Sequence, residues 1–540
     1  MANPLGSAAQ GARVRLAVLF LAALAAVLAQ NPAADQEVPP DEKAFRAIRT
    51  VINSKEKLTA MQKFVADYPA SKLKGLIQMR ILTALAQSEP SARKTILNQA
   101  KLVFAEAQAD EKSDAAAEIS VALAHHTPYY AEAVRYAKKS HALLLAEAPF
   151  AVSLKKDYAE DHVPVPSPEE IHKRFLAARA YPLYALGYVY LKEGTILQAE
   201  PLLKASLDAY SYDPDAWFAY AQAADKTGRK EEARERYIQA ALHGSNEAHV
   251  VLEKDYKPSN HGGATQLDAM LDARYAQMFP NPLKAEPYRP DEKRTDRVVL
   301  AELFTGASCP PCVAADLAFD AAAERYRRGE VAIIAWHQHI PDPDPLANHG
   351  TIDRGVFYNL WGTPTWAIDG ETAMGNGGNR DNADEVWRGL EAALEKRLDT
   401  PPEAHLSLRI DRNGDTIQVD AAPTGVQGDL KDVKLYTVLV EDHVRYVGNN
   451  GIRYHGMVAR AVSETSRTVF DLATVAAENR KQLDDYEKQK GDFSFYDKPV
   501  KMDAARLGIV SFVQDTKTKK VLQSAYRSLN PGANGVNGVF

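Results

Sequence analysis

Residues 302–319 read ELFTGASCPPCVAADLAF and hold both cysteines of the 540-residue chain, Cys309 and Cys312. Two thiols in so long a chain are not a disulfide framework. A bridge between residues three apart closes a tiny loop, so it stabilises the fold little by constraining the unfolded chain. The pair is placed for chemistry, and a C-x-x-C spacing admits a redox couple or half of a metal site.

The flanking residues set the local pattern. VVLAELFT (298–305) is an apolar run of strand length, and VAADLAFDAAAERYRR (313–328) continues as a helix. VAIIAWHQH (331–339) reads as a second strand and NHGTIDRGVFYNLW (348–361) as loop plus helix. GTPTWAIDG (362–370) turns into a third strand, and DEVWRGLEAALEKRL (384–398) is a closing helix.

Thiols three apart on a helix have Cβ atoms ~5–6 Å apart, close to disulfide geometry. Cys309 at a helix start has its thiolate stabilised by the helix dipole, and the thiolate is the nucleophile. Cys312 then resolves the mixed disulfide. Pro310 and Pro311 lack N–H groups, and Pro311 pushes Pro310 away from helical ψ. Fewer donors mean a less stabilised thiolate, so the expectation is a reducing couple suited to a reductant or isomerase.

This order of strand, CxxC, helix, strand, helix, Thr-Pro, strand, helix resembles the thioredoxin fold over residues 297–399. The surrounding ELFT…CPPC and GTPT…IDG are similar to a group of bacterial secreted thioredoxin-fold proteins. The resemblance implies that Cys309 attacks and Cys312 resolves. It implies a cis Thr363-Pro364 turn facing the thiols, with the Thr363 backbone pairing to a substrate chain in β fashion; the plain alternative is a trans proline at a strand start. It also implies a buried acid on the strand before the thiols. Glu302 is the matching position, where a carboxylate could relay the proton of Cys312; the alternative is an exposed, inert strand-edge acid. No bound cofactor is implied, since electrons come from another dithiol protein.

A metal reading rests on His337 and His339, which share one strand face, with His349, Asp342 or the thiols nearby in sequence. It lacks the further ligands that two cysteines require. HVRYVGNNGIRYHGM (443–457) is a polar aromatic loop with a turn at Asn449–Gly451 and no chemistry assigned to it.

Residues 41–280 are helical in pattern, with apolar residues at three- and four-residue spacing. Leu186, Gly187, Tyr190, Gly194, Ala199 and Leu203 sit 34 residues before Tyr220, Ala221, Ala224, Gly228, Ala233 and Tyr237. Small residues where two helices touch and a glycine at the turn resemble the tetratricopeptide repeat, so an α-solenoid is expected here. Trp217 and the tyrosines of the repeats read as core. Residues 281–296, with three prolines and mixed charge, read as a linker. Residues 400–529 read as a separate β-rich, sandwich-like domain, with Asn413-Gly414 in a hairpin turn and a polar, partly helical insertion at 470–503. The tail 530–540 reads as disordered.

Residues 1–29 have Arg13 and Arg15 before an apolar run from Leu16 to Ala29, with Val27 and Ala29 at the positions of a cleavage site. The expectation is a removed export signal, followed by a linker at 30–40, and a periplasmic or secreted chain; the alternative is an uncleaved anchor. Apolar residues make up 46% of the chain, and the net charge is −6, which leaves no basic footprint for nucleic acid.

The leading expectation is therefore an extracytoplasmic thiol–disulfide oxidoreductase acting on protein clients, with a protein partner docked on the repeats. The alternatives are an envelope binding scaffold whose redox-like domain is an adaptor, and a metal-handling envelope protein.

Overall fold

A computed structural model describes residues 38–144, 146–160, 165–255, 264–374, 377–426 and 430–530. The expected export signal, most of the 30–40 linker and most of the 530–540 tail lie outside them. The chain divides into two compact units, Met1–Arg274 with Gln489–Ser494, and Tyr275–Lys488 with Phe495–Phe540.

The first unit is helical. Among the described residues helices run from α1 (Pro40–Thr50) to α13 (Ala264–Met278). The repeat lies in α8 (Pro168–Glu193), α9 (Ile196–Ala209), α10 (Pro214–Lys226) and α11 (Lys230–Leu242). Gly187 is where α8 meets α9: a Cβ there would lie 2.9 Å from Leu203 Cγ and 3.1 Å from the Ala199 carbonyl. Gly194 and Gly228 end α8 and the α10 turn at positive φ, which glycine adopts without a Cβ penalty. Glu200 of α9 accepts from Arg229 at 2.7 Å and from Arg236 at 2.8 Å, so charge joins the two repeats. Hydrogen bonds from Arg229 and then Arg236 hold the Glu200 carboxyl below its ordinary range, against the desolvation of partial burial.

The second unit is built on one eight-stranded sheet. Its strands are β1 (Val299–Thr305), β2 (Val331–His337), β3 (Thr365–Ile368), β4 (Glu371–Met374), β7 (Val433–Glu441), β10 (Val458–Ser463), β12 (Leu507–Asp515) and β13 (Val521–Ser528). They lie in the order β13-β12-β7-β10-β2-β1-β3-β4. β1 runs parallel to β2 and antiparallel to β3, with Ala301 beside Ile333 and Ile368. Helices α14 (Val313–Arg325), α15 (His349–Phe357) and α16 (Ala383–Leu398) follow β1, β2 and β4.

The expected boundary at 399/400 is not a structural one. β10 pairs with β2, β7 and β12 continue the sheet, and Val438, Val510 and Phe512 share a core with Leu300 and Ile334. A three-stranded sheet, made of β5 (His405–Asn413), β6 (Thr416–Thr424) and β11 (Arg467–Asp471), stands apart, as does a two-stranded pair of β8 (Val444–Arg445) and β9 (Tyr454–His455). The three-stranded sheet lies on the large one. It packs Ile417, Val419 and Phe470 on Leu439 and Ile509 of the large sheet. The expected 281–296 linker is also part of this unit: Leu283 is in the core, and the Tyr288 amide donates to the Arg325 carbonyl at 2.9 Å. No helix among the described residues is long and apolar enough to cross a membrane.

Arg297, 1% exposed, secures the start of β1. Its guanidinium lies 2.9 Å from Asp369 and donates to the Thr400, Pro401 and Val521 carbonyls. Arg297→Ala leaves Asp369 buried without its partner. The expected outcome is a loss of about 3–5 kcal/mol in stability, read by urea unfolding.

Candidate functional site

The thiol turn stands at the C-terminal end of β1. Cys309 and Cys312 are disulfide-bonded, with Cα atoms 5.3 Å apart. Pro310–Cys312 form one turn of 3₁₀ helix, and α14 begins only at Val313, with Cys312 as its N-cap. The expected helix start at Cys309 therefore moves three residues on. Pro310 lies within that turn although a following proline disfavours helical ψ, and neither proline donates a hydrogen bond. The turn closes instead through the Cys312 amide on the Cys309 carbonyl, at 3.0 Å.

The Thr363-Pro364 peptide is cis and lies against the pair. The Thr363 carbonyl oxygen is 3.6 Å from Cys309 Sγ, and its Oγ1 is 3.3 Å from the same sulfur. Oγ1 is also 3.1 Å from the Ile340 carbonyl, so one hydroxyl proton has two acceptors. Gly378 pairs with the turn by main chain: its amide donates to the Pro311 carbonyl at 2.7 Å, and its carbonyl accepts from Ala314 at 3.0 Å. A Cβ on the neighbouring Gly377 would meet the Pro311 carbonyl at 3.0 Å and the Pro364 ring at 3.2 Å. Both cysteines are fully buried.

Glu302 does not reach the thiols. Its carboxylate accepts from Arg354 Nε at 2.7 Å and Nη2 at 3.0 Å, from Trp336 Nε1 at 3.0 Å and from Tyr358 Oη at 2.7 Å. Arg354 belongs to α15. Side chains alternate along a strand, so Glu302 lies on the face opposite Leu303 and Thr305, which look toward α14. A carboxylate saturated by four donors on that face is a buried structural ion pair.

The acid on the thiol side is Asp316. It lies four residues after Cys312, one helical turn on, where α14 side chains are neighbours. Thr305 Oγ1 donates to its Oδ2 at 3.2 Å. Burial pushes Asp316 well above the usual carboxylate range, outweighing that hydrogen bond. Asp320, a further turn on, is pushed up to about 7 by burial and then by Asp442. Asp316, Asp320, His337, Asp442 and His455 line a cavity of about 20 Å³, the size of a single water. The sequence signal for Asp316 was two aspartates one turn apart in a helix whose first ten residues are otherwise apolar.

The histidines do not converge. His337 Nδ1 pairs with Asp344 Oδ2 at 2.8 Å, while the Asp344 amide donates to His339 Nδ1 at 3.0 Å. His349 is exposed at the start of α15. No group of three or more metal-ligating side chains occurs among the described residues. Burial alone would raise Asp344, but the His337 charge and hydrogen bond and the Ala307 and Leu346 amides hold it below its ordinary value.

Comparison with known proteins bears on the helical unit. A tetratricopeptide repeat model matches residues 190–251, which covers α9, α10 and α11 and supports a protein-binding role for that unit. No curated protein matches the chain. Among solved structures, HBP35 of Porphyromonas gingivalis is 12% identical, with a TM-score of 0.30 over 46% of this chain and 80% of that one. A protein of Agrobacterium tumefaciens is 15% identical, with a TM-score of 0.27 over 47% of this chain and 100% of that one. Similarities at those TM-scores carry no weight for fold or chemistry.

Two outcomes follow from this geometry. Thr363→Val removes the hydroxyl beside Cys309, so the thiolate loses a donor; the iodoacetamide reaction of the reduced pair should need a higher pH to reach its plateau. Asp320 holds its proton in the folded chain between its ordinary 3.8 and about 7, where the unfolded chain has lost it, so stability falls as pH rises through that window. Asp320→Asn should match the parent near about pH 4 and exceed it by roughly a few kcal/mol near pH 8, as read by urea unfolding.

Proposed function

We propose that this chain is an extracytoplasmic thiol–disulfide oxidoreductase of thioredoxin-like type, with helical repeats that dock a protein partner. The observation that carries the reading is the Cys309–Cys312 bridge at the end of a central strand, with the Thr363 carbonyl and hydroxyl against Cys309 Sγ. The order strand, CPPC, helix, parallel strand, helix, Thr-Pro, antiparallel strand supports it. The extracytoplasmic part rests on the sequence of residues 1–29.

In the reductive direction a dithiol protein first reduces the bridge. The Cys309 thiolate attacks a client disulfide, forms a mixed disulfide and releases one client thiolate. Cys312 gives its proton to the Asp316 carboxylate, one turn away, and attacks Cys309 Sγ. The second client thiolate leaves, the bridge re-forms, and two electrons have passed to the client. Asp316 is suited to that step because burial makes it hold a proton far better than an exposed aspartate does. With Pro310 and Pro311 supplying no donors to the thiolate, the couple leans towards reductant or isomerase.

One observation favours a second reading, a binding scaffold with an inert bridge: both sulfurs are buried. Equilibration with glutathione and thiol trapping separates the two. The redox reading expects a defined two-electron couple, lost in Cys309→Ser, at a potential below that of strong periplasmic oxidants. A bridge that no glutathione ratio opens leaves the scaffold.

A further inference from the structure

The loop at 443–457, which sequence patterning left without a role, grips the thiol turn. Its Asn450 donates from the main chain to the Ala307 carbonyl at 3.1 Å, and from Nδ2 to the Gly306 carbonyl at 3.3 Å. Asn450 Oδ1 accepts from the Ile452 amide at 3.0 Å, which shapes the loop that presents it. Gly448 fits against the same peptide: a Cβ there would stand 2.5 Å from the Ala307 carbonyl oxygen. From the other side Asp344 Oδ2 accepts from the Ala307 amide at 2.7 Å. The gripped peptide leads straight into the nucleophile. The Gly306 carbonyl also accepts from the Cys309 amide at 3.0 Å, and a Cβ on Gly306 would lie 3.5 Å from Cys309 Cβ.

We propose that Asn450 is a specificity-determining latch: by pinning Gly306–Ala307 onto Cys309 it keeps the bridge closed to bulky thiols while small thiols pass. The latch rests on the redox reading above and adds a selectivity to it. A client or donor protein is then held off until the pinned Gly306–Ala307 peptide, which lies against Cys309, yields. Asn450 touches no sulfur; it acts through the main chain of residues 306 and 307.

The test compares two reductants on the full chain, dithiothreitol as the small thiol and a reduced thioredoxin as the protein dithiol. Opening of the bridge is followed by alkylation and mass measurement. In the parent the protein dithiol should be the slower by far. Asn450→Ala should speed the protein dithiol about tenfold, the order that one or two neutral hydrogen bonds carry, and change the dithiothreitol rate little. Gly448→Ala, whose Cβ would crowd both the Ala307 carbonyl at 2.5 Å and Asn450 Oδ1 at 2.7 Å, should shift the ratio the same way. An unchanged ratio in both variants, or a parent that shows no size discrimination, overturns the latch. A variant that speeds both reagents equally also overturns it, because that is general loosening of the fold. The glutathione couple judges the redox reading separately: a defined couple with an unchanged ratio removes the latch alone.

Discussion

Strand β1 is hydrogen-bonded along both edges, to β2 on one side and β3 on the other. That double pairing forbids any slip, and a slip of one residue would turn every side chain to the opposite face. Everything at the site depends on it. Leu303 and Thr305 are held toward α14 and the thiols, while Glu302 is held toward Arg354, Tyr358 and Trp336. The same pairing brings the end of β1 beside Thr365 of β3, so Thr363 arrives against Cys309.

The parts of the fold that were legible in sequence are those written in local spacing. The 34-residue echo of small residues reports helix-on-helix contact, which Gly187 against Leu203 makes plain. The apolar runs at 298–305 and 331–337 report strands buried on both faces. What spacing does not carry is partnership. Alternation in VKLYTVLVE marks a strand, yet it does not say whether the strand joins a new sheet or extends an old one. Here it extends the old one, because β10 offers Val458 to Ala335 and so covers an edge of β2 that would otherwise be open. A fragment cut at residue 399 would expose that edge. The 281–296 segment misled for a related reason: its prolines and charges mask Leu283 and Tyr288, which the sheet unit needs.

At the site the cysteines and the Thr-Pro turn were legible because they are contiguous motifs. Glu302 was placed by its match to a family pattern, and such a match does not record which face a residue takes. Asp316 was hidden because an aspartate four residues into a helix reads as an ordinary solvated acid. Its raised proton affinity comes from burial, against the hydrogen bond from Thr305, and only the packed sheet supplies both. The histidines were grouped by proximity in sequence, but β2 ends at His337 and the chain turns away, so they divide their bonds around Asp344.

The supports of the thiol turn come late in the chain. Asp344 follows Ala307 by 37 residues, Thr363 follows Cys309 by 54, and Asn450 follows Gly306 by 144. A chain emerging from its N-terminus therefore presents both cysteines well before the residues that bury them have emerged. During that interval the pair sits on an incomplete sheet, with its supports still to come. Whichever state the pair holds when those supports close is the state that the finished fold encloses.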